Sequence, residues 1–165
     1  MTYLINKGND NEDVQAFLGR FNNYFEYLHS IKDQLPASAY VFATSEWHYN
    51  HEDPKCPHDA WLEHITISEP SSGGRRQVRS TEILVVLLGA FHNGYIEIRY
   101  KQVNRYTVNL LPARDNRGHG DWLLDEIHLS ENGLVVHEIV FVHGRWLIEC
   151  EDIVYKWKPF STVEK

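Results

Sequence analysis

The sequence of 165 residues lacks any long apolar run and contains only two cysteines. The longest apolar candidate, residues 83–91, has the length of a strand, whereas a membrane span needs about 18 such residues. The N-terminus, MTYLINKGND, has no basic stretch followed by an apolar one, so we expect no secretory signal. Cys56 and Cys150 lie far apart in the chain, which predicts reduced thiols in a cytoplasmic protein that does not contact a membrane.

The sequence also lacks the short motifs by which many enzymes are identified. It has no dinucleotide-binding glycine fingerprint, no HExxH pair, no EF-hand loop and no serine nucleophile elbow. A basic excess is missing as well, because the formal net charge is −7. Direct binding of nucleic acid needs a positive surface, so the charge disfavours nucleic acid and favours a basic protein as partner.

Residues that build a hydrophobic core are abundant. Apolar residues make up 42% of the chain and aromatic residues 13%, a composition that disordered chains do not reach. The length is that of one domain, and the sequence shows neither an internal repeat nor a linker. We therefore predict a single domain over residues 1–165.

One amphipathic helix is predicted near the N-terminus, at about 11–34. Its apolar residues recur at steps of three and four and form one stripe: Val14, Phe17, Leu18, Phe21, Phe25, Leu28, Ile31 and Leu35. Asn9, Asp10 and Asn11 are suitable caps for its start, and Pro36 is expected to end it.

The rest of the chain, about 37–158, is predicted to be rich in strands. The candidate strands are 37–44, 61–69, about 77–91 with a hairpin partner that follows residue 94, 122–129, 134–142 and 145–157. The Asn-Gly pair at 93 and 94 favours a two-residue hairpin loop, which would place Phe91 opposite Ile96. The predicted fold is α+β: one N-terminal helix packed on a curved, mainly antiparallel sheet or open barrel of about seven strands.

The segment EWHYNHEDPKCPH at 46–58 is a candidate metal site. Imidazole nitrogen and thiolate sulfur are zinc ligands, and the segment offers His48, His51, Cys56 and His58. The spacing of these four residues matches none of the usual zinc patterns, in which ligand pairs flank a long intervening segment. The alternative is therefore a polar connector that binds no metal. We expect no cofactor, and zinc is the candidate ion if this segment binds one.

A candidate catalytic site follows from the predicted register of the last three strands. If two tight turns join them, Glu126, His137 and Cys150 form one row across the sheet. A thiol beside a histidine that a carboxylate orients is the arrangement of a cysteine nucleophile. The alternative is a core histidine bonded to Glu126, with Cys150 as a small apolar residue.

The other face of the same three strands is predicted to be acidic. On it lie Asp125, Glu138, Glu149 and Glu151. Like charges placed opposite one another on neighbouring strands destabilise a sheet, so we expect a function that explains them. Binding of a basic protein is such a function, since charge complementarity speeds association and selects the partner.

Three functions are compatible with these features. The leading hypothesis is a protein-binding module, in its concrete form an immunity-type inhibitor of a basic toxin. A small metal- or cysteine-dependent enzyme that uses the His/Cys clusters is the second hypothesis. The third is a small-ligand carrier with an aromatic cavity lined by Trp47, Trp61, Trp122, Trp146 and Trp157.

Overall fold

The computed structural model describes residues 2–5, 13–112 and 118–161. It confirms the α+β class, with two α-helices and one antiparallel sheet. The helices are α1 (Val14–Ser30) and α2 (Ala37–Thr44), separated by a short 3-10 turn at Lys32–Gln34. The strands are β1 (Trp61–Ser68), β2 (Thr81–Leu88), β3 (Gly94–Leu110), β4 (Trp122–Leu129), β5 (Val135–Phe141) and β6 (Gly144–Pro159). The described sheet thus has six strands where about seven were predicted.

The sheet has the strand order β1-β2-β3-β6-β5-β4. Its centre is the long ribbon of β3 and β6, which are 17 and 16 residues long. Gln102 has a φ of 48°, and the register shifts between Val103 and Arg105, irregularities that bend a ribbon. The sheet does not close into a barrel, but β1 meets the start of β4 through one bridge between Trp61 and Asp121.

Helix α1 confirms the predicted N-terminal helix but is shorter at both ends: it starts at Val14, and it ends at Ser30, before the predicted end at Pro36. Asp13 is the N-cap, and its side chain accepts a hydrogen bond from the backbone N–H of Gln15. Of the predicted helix, residues 11 and 12 lie outside the described residues, as do the candidate caps at 9–11. Within α1 the stripe residue Leu28 and the neighbouring Tyr24 are buried, whereas Val14 is 68% exposed at the first turn.

Residues 37–44 form helix α2, so the strand predicted there was wrong. This segment holds three alanines, which have the highest helix propensity, and Pro36 precedes its first turn. Ala39, Phe42 and Ala43 are fully buried in the core. The small alanine side chains let the helix backbone lie close to the rest of the core, so packing and propensity favour the same structure.

The hydrophobic core lies between the helices and one face of the sheet. The strands contribute alternate residues to it, among them Ile83, Val85, Leu87, Ile96, Ile98, Ile139 and Ile148. This alternation is what the period of two along a strand requires. No helix in the described ranges combines the length and the apolar character that a membrane span needs.

The predicted hairpin of β2 and β3 has a different register. Ile96 pairs with Leu87, four residues from the predicted Phe91. The loop is longer because Gly89 and Gly94 close it, with a backbone hydrogen bond of 3.0 Å. The Trp157 ring packs against both glycines, so this register depends on a residue outside the hairpin.

A β-bulge in β4 also changes the predicted register. Trp122 pairs with Phe141 as expected, but the register shifts before Leu124, and Ile127 then pairs with His137. A shift by one residue exchanges the two faces of a strand. Beyond Leu123, Asp125 therefore faces the core and Glu126 the opposite side.

The free edge of β4 is covered by side chains and by the N-terminal segment. The Tyr24 hydroxyl accepts from the backbone N–H of Ile127 at 2.6 Å and donates to its carbonyl at 3.1 Å. Glu126 accepts hydrogen bonds from the backbone N–H groups of residues 3, 4 and 5. The Tyr24 hydroxyl thus satisfies backbone groups of an edge that would otherwise be open to pairing with another chain, and Glu126 holds the N-terminal segment against the same strand.

Candidate functional site

An internal chain of hydrogen bonds joins Tyr100, His137, Asp125 and His48. The Tyr100 hydroxyl lies 2.8 Å from Nδ1 of His137, and Nε2 of that ring lies 2.9 Å from Oδ2 of Asp125. Nε2 of His48 reaches the same oxygen at 2.8 Å. The indole N–H of Trp122 donates to Oδ1 at 3.1 Å. All five side chains are buried, so the chain of bonds is closed to solvent.

The charge state of this network follows from its surroundings. Burial by itself raises the pKa of the Asp125 carboxyl, but His48 and the hydrogen bonds from both histidines outweigh it and hold the pKa well below its usual range. For His137, burial lowers the pKa more than Asp125 raises it. Asp125 is therefore ionised near neutral pH and His137 is neutral, with the Tyr100 hydroxyl donating to its Nδ1.

The four predicted zinc ligands do not converge on one point. Both ring nitrogens of His48 face acceptors, since Nδ1 lies 2.6 Å from the Phe42 carbonyl oxygen and Nε2 faces Asp125. The Cys56 thiol donates to the His48 carbonyl at 3.0 Å, and burial raises its pKa to about 11. The rings of His51 and His58 stack with centroids 3.8 Å apart. Segment 46–58 is thus a connector in which His48 and Cys56 already have hydrogen-bond partners within the protein.

Glu126, His128 and Glu138 are, among the described residues, the group whose potential ligand atoms come within 4.8 Å of one another. These atoms already have partners. Glu126 binds the backbone of residues 3–5, and Glu138 is bonded to His128 at 3.2 Å and to Arg145 at 3.2 Å. The nearby guanidinium of Arg145 also disfavours a cation, so these contacts account for the group without a metal.

The predicted catalytic row is not assembled. His137 pairs with Ile148, and Cys150 pairs with Val135, a register two residues from the predicted one. Glu126 lies on the opposite face from His137 because of the bulge at Leu123. Burial raises the pKa of the Cys150 thiol to about 12, the reverse of what an activated nucleophile requires.

The four carboxylates of the predicted acidic surface are dispersed. Asp125 is 2% exposed and belongs to the buried network. Glu149 is also buried, and Asn104 and Arg105 donate hydrogen bonds to it. Glu138 is partly buried and paired, and Glu151 is exposed. A partner-binding role stays a prediction for the last two residues.

The structure instead gathers accessible groups where β1 meets β4, a junction we call the seam (residues 59–61 and 121–123). The N–H of Asp59 donates to the Trp122 carbonyl at 2.9 Å, and the N–H of Trp122 donates to the Ala60 carbonyl at 3.0 Å. The indole N–H of Trp61 donates to Oδ1 of Asp121 at 2.6 Å. No local pattern in the sequence predicts this junction, because it joins residues 60 positions apart.

Two cavities flank the seam. The first, which we call the tryptophan pocket, has a volume of about 590 Å³ and is lined by Trp61, Leu62, Gly118, His119, Gly120, Asp121, Val142 and His143. The second, the helix pocket, has a volume of about 430 Å³. Phe17, Phe21, Tyr49, His51, His58 and Leu123 are among the residues around it. Both volumes are in the range of ligand and side-chain binding pockets.

The surface around the seam is apolar and carries negative charge. Trp61 is 48% exposed and Leu123 is 41% exposed. Asp59 is exposed beside His58, and Glu52 is exposed beside His51. Neither pocket has a lysine or arginine among the described residues that line it. The seam can therefore bind a group that is partly apolar and positively charged.

Compared with known proteins, the chain matches no protein-family model and no curated protein sequence. The chemistry of the seam and its pockets is therefore the basis for a functional assignment.

Proposed function

We propose that this protein is a protein-binding module that receives a basic partner at the seam. The observation that carries the proposal is the combination, at one junction, of exposed apolar side chains, two pockets and carboxylates, with no lysine or arginine among the described residues that line those pockets. Interfaces of this kind bury an apolar centre inside a polar rim. The position differs from the acidic face that the sequence suggested, but the kind of partner is the same.

The exposed apolar residues near the helix pocket support a docking role. Phe17, Leu18 and Val14 of α1 are exposed on its N-terminal turns, and Leu123 is exposed on β4. Phe17 and Leu123 both line the helix pocket. Single exposed apolar residues are ordinary, whereas a group of them around a pocket marks a binding surface.

The charge of the adjoining segment supports a basic partner. Residues 45–60 carry four acidic side chains and one lysine: Glu46, Glu52, Asp53, Asp59 and Lys55. The whole chain has a net charge of −7. Charge of one sign near the contact steers an oppositely charged protein toward it and raises the association rate.

The concrete form of the proposal is an immunity-type inhibitor that occupies a basic toxin. A small acidic domain with a preformed docking surface suits that role, because rapid association protects the host cell. The cysteine-dependent alternative is weakened by the raised thiol pKa values of Cys56 and Cys150. The carrier alternative is weakened because the tryptophans do not share one cavity: Trp61 lines the tryptophan pocket, Trp122 lines the helix pocket and Trp146 is buried in the core.

Selection of random 12-residue peptides from a display library at low salt tests the binding role. We expect enrichment of peptides that combine Arg or Lys with apolar residues. Their binding should fall with added salt and should be lost in a Trp61→Ala, Leu123→Ser double variant. Val78→Ser is the matched control, because Val78 is 96% exposed in the β1–β2 connection, away from the seam. Neutral or acidic peptides, or binding that the seam variant retains, would contradict the proposal.

The inhibitor form predicts that a basic toxin is encoded beside this gene, and expression of that toxin in cells tests it. Co-expression of this protein should restore growth, and the Val78→Ser variant should do so equally well. The seam variant should fail to protect while accumulating to the same level. Protection by the seam variant would show that inhibition does not use this surface.

A further inference from the structure

Trp61 and Asp121 form a fixed aromatic–acidic pair in the tryptophan pocket. The indole N–H lies 2.6 Å from Oδ1 of Asp121, while the ring itself is 48% exposed. Oδ2 of Asp121 has no hydrogen-bond partner among the described residues. The pair therefore presents an open aromatic surface next to a carboxylate oxygen that is free to accept.

We propose that this pair binds one arginine side chain of the partner, an inference that rests on the proposed binding function. A guanidinium can stack on the indole while its N–H groups donate to the carboxylate. Tryptophan gives the strongest cation–π contact of the aromatic residues, and arginine is enriched at the centres of interfaces. Lysine is the weaker ligand here because its ammonium group is compact and does not stack.

The pair is held in place before any ligand arrives. The Asp121 backbone bridges to Trp61, and its carbonyl accepts from the N–H of Val142 at 3.0 Å. Gly120 precedes it with a φ of +72°, and a Cβ there would lie 2.9 Å from Cβ of Val142. His92 packs against the indole with ring centroids 4.6 Å apart. Groups that are already ordered lose little entropy on binding.

The charge balance of the pocket also favours a cation. Asp121 is the one residue with a formal charge at neutral pH among the described non-histidine lining residues. His119 lies between Phe141 and Trp146, and burial lowers the pKa of its ring. A neutral imidazole adds no positive charge that would oppose the guanidinium.

NMR titration of the ¹⁵N-labelled protein tests this inference directly. The tryptophan indole N–H signals are recorded during addition of N-acetyl-arginine amide, and the Trp61→Phe variant identifies the Trp61 signal. We expect that signal to move with arginine amide and to stay in place with the neutral isostere N-acetyl-citrulline amide. Asp121→Asn should weaken the binding by about tenfold, whereas Glu131→Gln, an exposed acid on the β4–β5 turn, should leave it unchanged.

Comparison with guanidinium chloride distinguishes an arginine side chain of the partner from a small free cation. An arginine-containing library peptide should bind at least tenfold more tightly than guanidinium chloride alone. Equal affinity for the two would show a site for small free cations and overturn the side-chain anchor. Equal shifts with arginine and citrulline amides, or an arginine-amide affinity that Asp121→Asn leaves unchanged, would also overturn it.

The two proposals fail separately. If arginine amide binds but the selection enriches no basic peptides, the arginine site stands and the proposed binding module is rejected. Basic peptides that keep their affinity when arginine is replaced by citrulline would keep the module and reject this anchor.

Discussion

The imidazole of His48 and the carboxylate of Asp125 lie 2.8 Å apart in the protein interior, although 77 residues separate them in the chain. His48 lies near the start of the connector 46–58 that follows α2, and Asp125 lies just beyond the bulge in the edge strand β4. The contact thus fixes the connector to the edge of the sheet. A buried ionised group is stable only when all its hydrogen-bonding positions have partners. The stability of the core therefore depends on the contact that also fixes the position of the seam.

Replacement of Asp125 by Asn should destabilise the fold by about 3–5 kcal/mol, because the buried donors of His48, His137 and Trp122 lose their charged acceptor. Asp121→Asn is the matched control at the partly exposed seam and should cost about 1 kcal/mol or less. Urea denaturation followed by circular dichroism measures both values. Equal costs for the two variants would contradict the role given to the buried network.

Stability should fall as the pH decreases below about 6.5. Burial lowers the pKa of His137 in the folded state, so on acidification the unfolded chain takes up a proton at this residue before the folded chain does. The stabilisation is complete above the unfolded-state pKa and is lost on acidification, with a slope of at most about 1.4 kcal/mol per pH unit for this group. The ionised state of Asp125 adds a second loss, at pH values below about 4.

Urea titrations between pH 8 and pH 5 test this dependence. The His137→Phe variant should be less stable throughout but should show a shallower slope over the same range. The histidines at 51 and 119 have pKa values shifted in the same direction, so part of the slope should persist. A wild-type protein that becomes more stable on acidification from pH 7.5 to 5.5 would refute the assignment of a neutral His137.

Removal of the Tyr24 hydroxyl should lower the free energy of unfolding, because this hydroxyl bonds backbone groups at the edge of β4. Tyr24→Phe leaves the buried N–H and carbonyl groups of Ile127 without partners, which should cost about 2–4 kcal/mol. The control is Tyr106→Phe, on an exposed face of β3, with an expected change within about 0.5 kcal/mol. Amide hydrogen exchange should speed up at Ile127 in the first variant alone.

A methyl group at Gly94 should not fit against Trp157. The Cβ would lie 2.5 Å from two ring carbons of Trp157 and 2.7 Å from the carbonyl oxygen of Lys158. Gly94→Ala should therefore destabilise the protein by about 1–3 kcal/mol. Gly19→Ala, in α1 with no atom near the added methyl, should instead stabilise it by about 0.5–1 kcal/mol. Thermal unfolding of both variants measures the two changes in stability, which should have opposite signs.

Both cysteines should resist alkylation in the folded state. Burial raises the thiol pKa to about 11 at Cys56 and to about 12 at Cys150. At pH 8 their reaction with iodoacetamide should be roughly a hundredfold slower than in the denatured protein, since the thiolate is the reactive form. Mass spectrometry counts the modified thiols. Rapid modification of Cys150 in the native protein would reopen the hypothesis of a cysteine nucleophile.

Local patterns predicted the helix α1 and most strand segments, but they failed where a distant contact decides the structure. The alternation of β4 places Trp122, Leu124 and Glu126 on one face, and this pattern made Asp125 a surface residue in the prediction. The bulge at Leu123 inverts the faces, so Asp125 points into the core. The seam could not be predicted, because Trp61 and Asp121 have no periodic relationship in the sequence.

The sequence by itself determined the class of fold, since hydrophobic spacing of three and four specifies a helix and spacing of two specifies a strand. It also determined the acidic character of the chain and its two isolated thiols. Only the tertiary structure decided which side of each strand is buried and which carboxylates remain accessible. The physical reason is that an insertion of one residue exchanges the faces of a strand at little local cost, and packing against residues far along the chain selects the register.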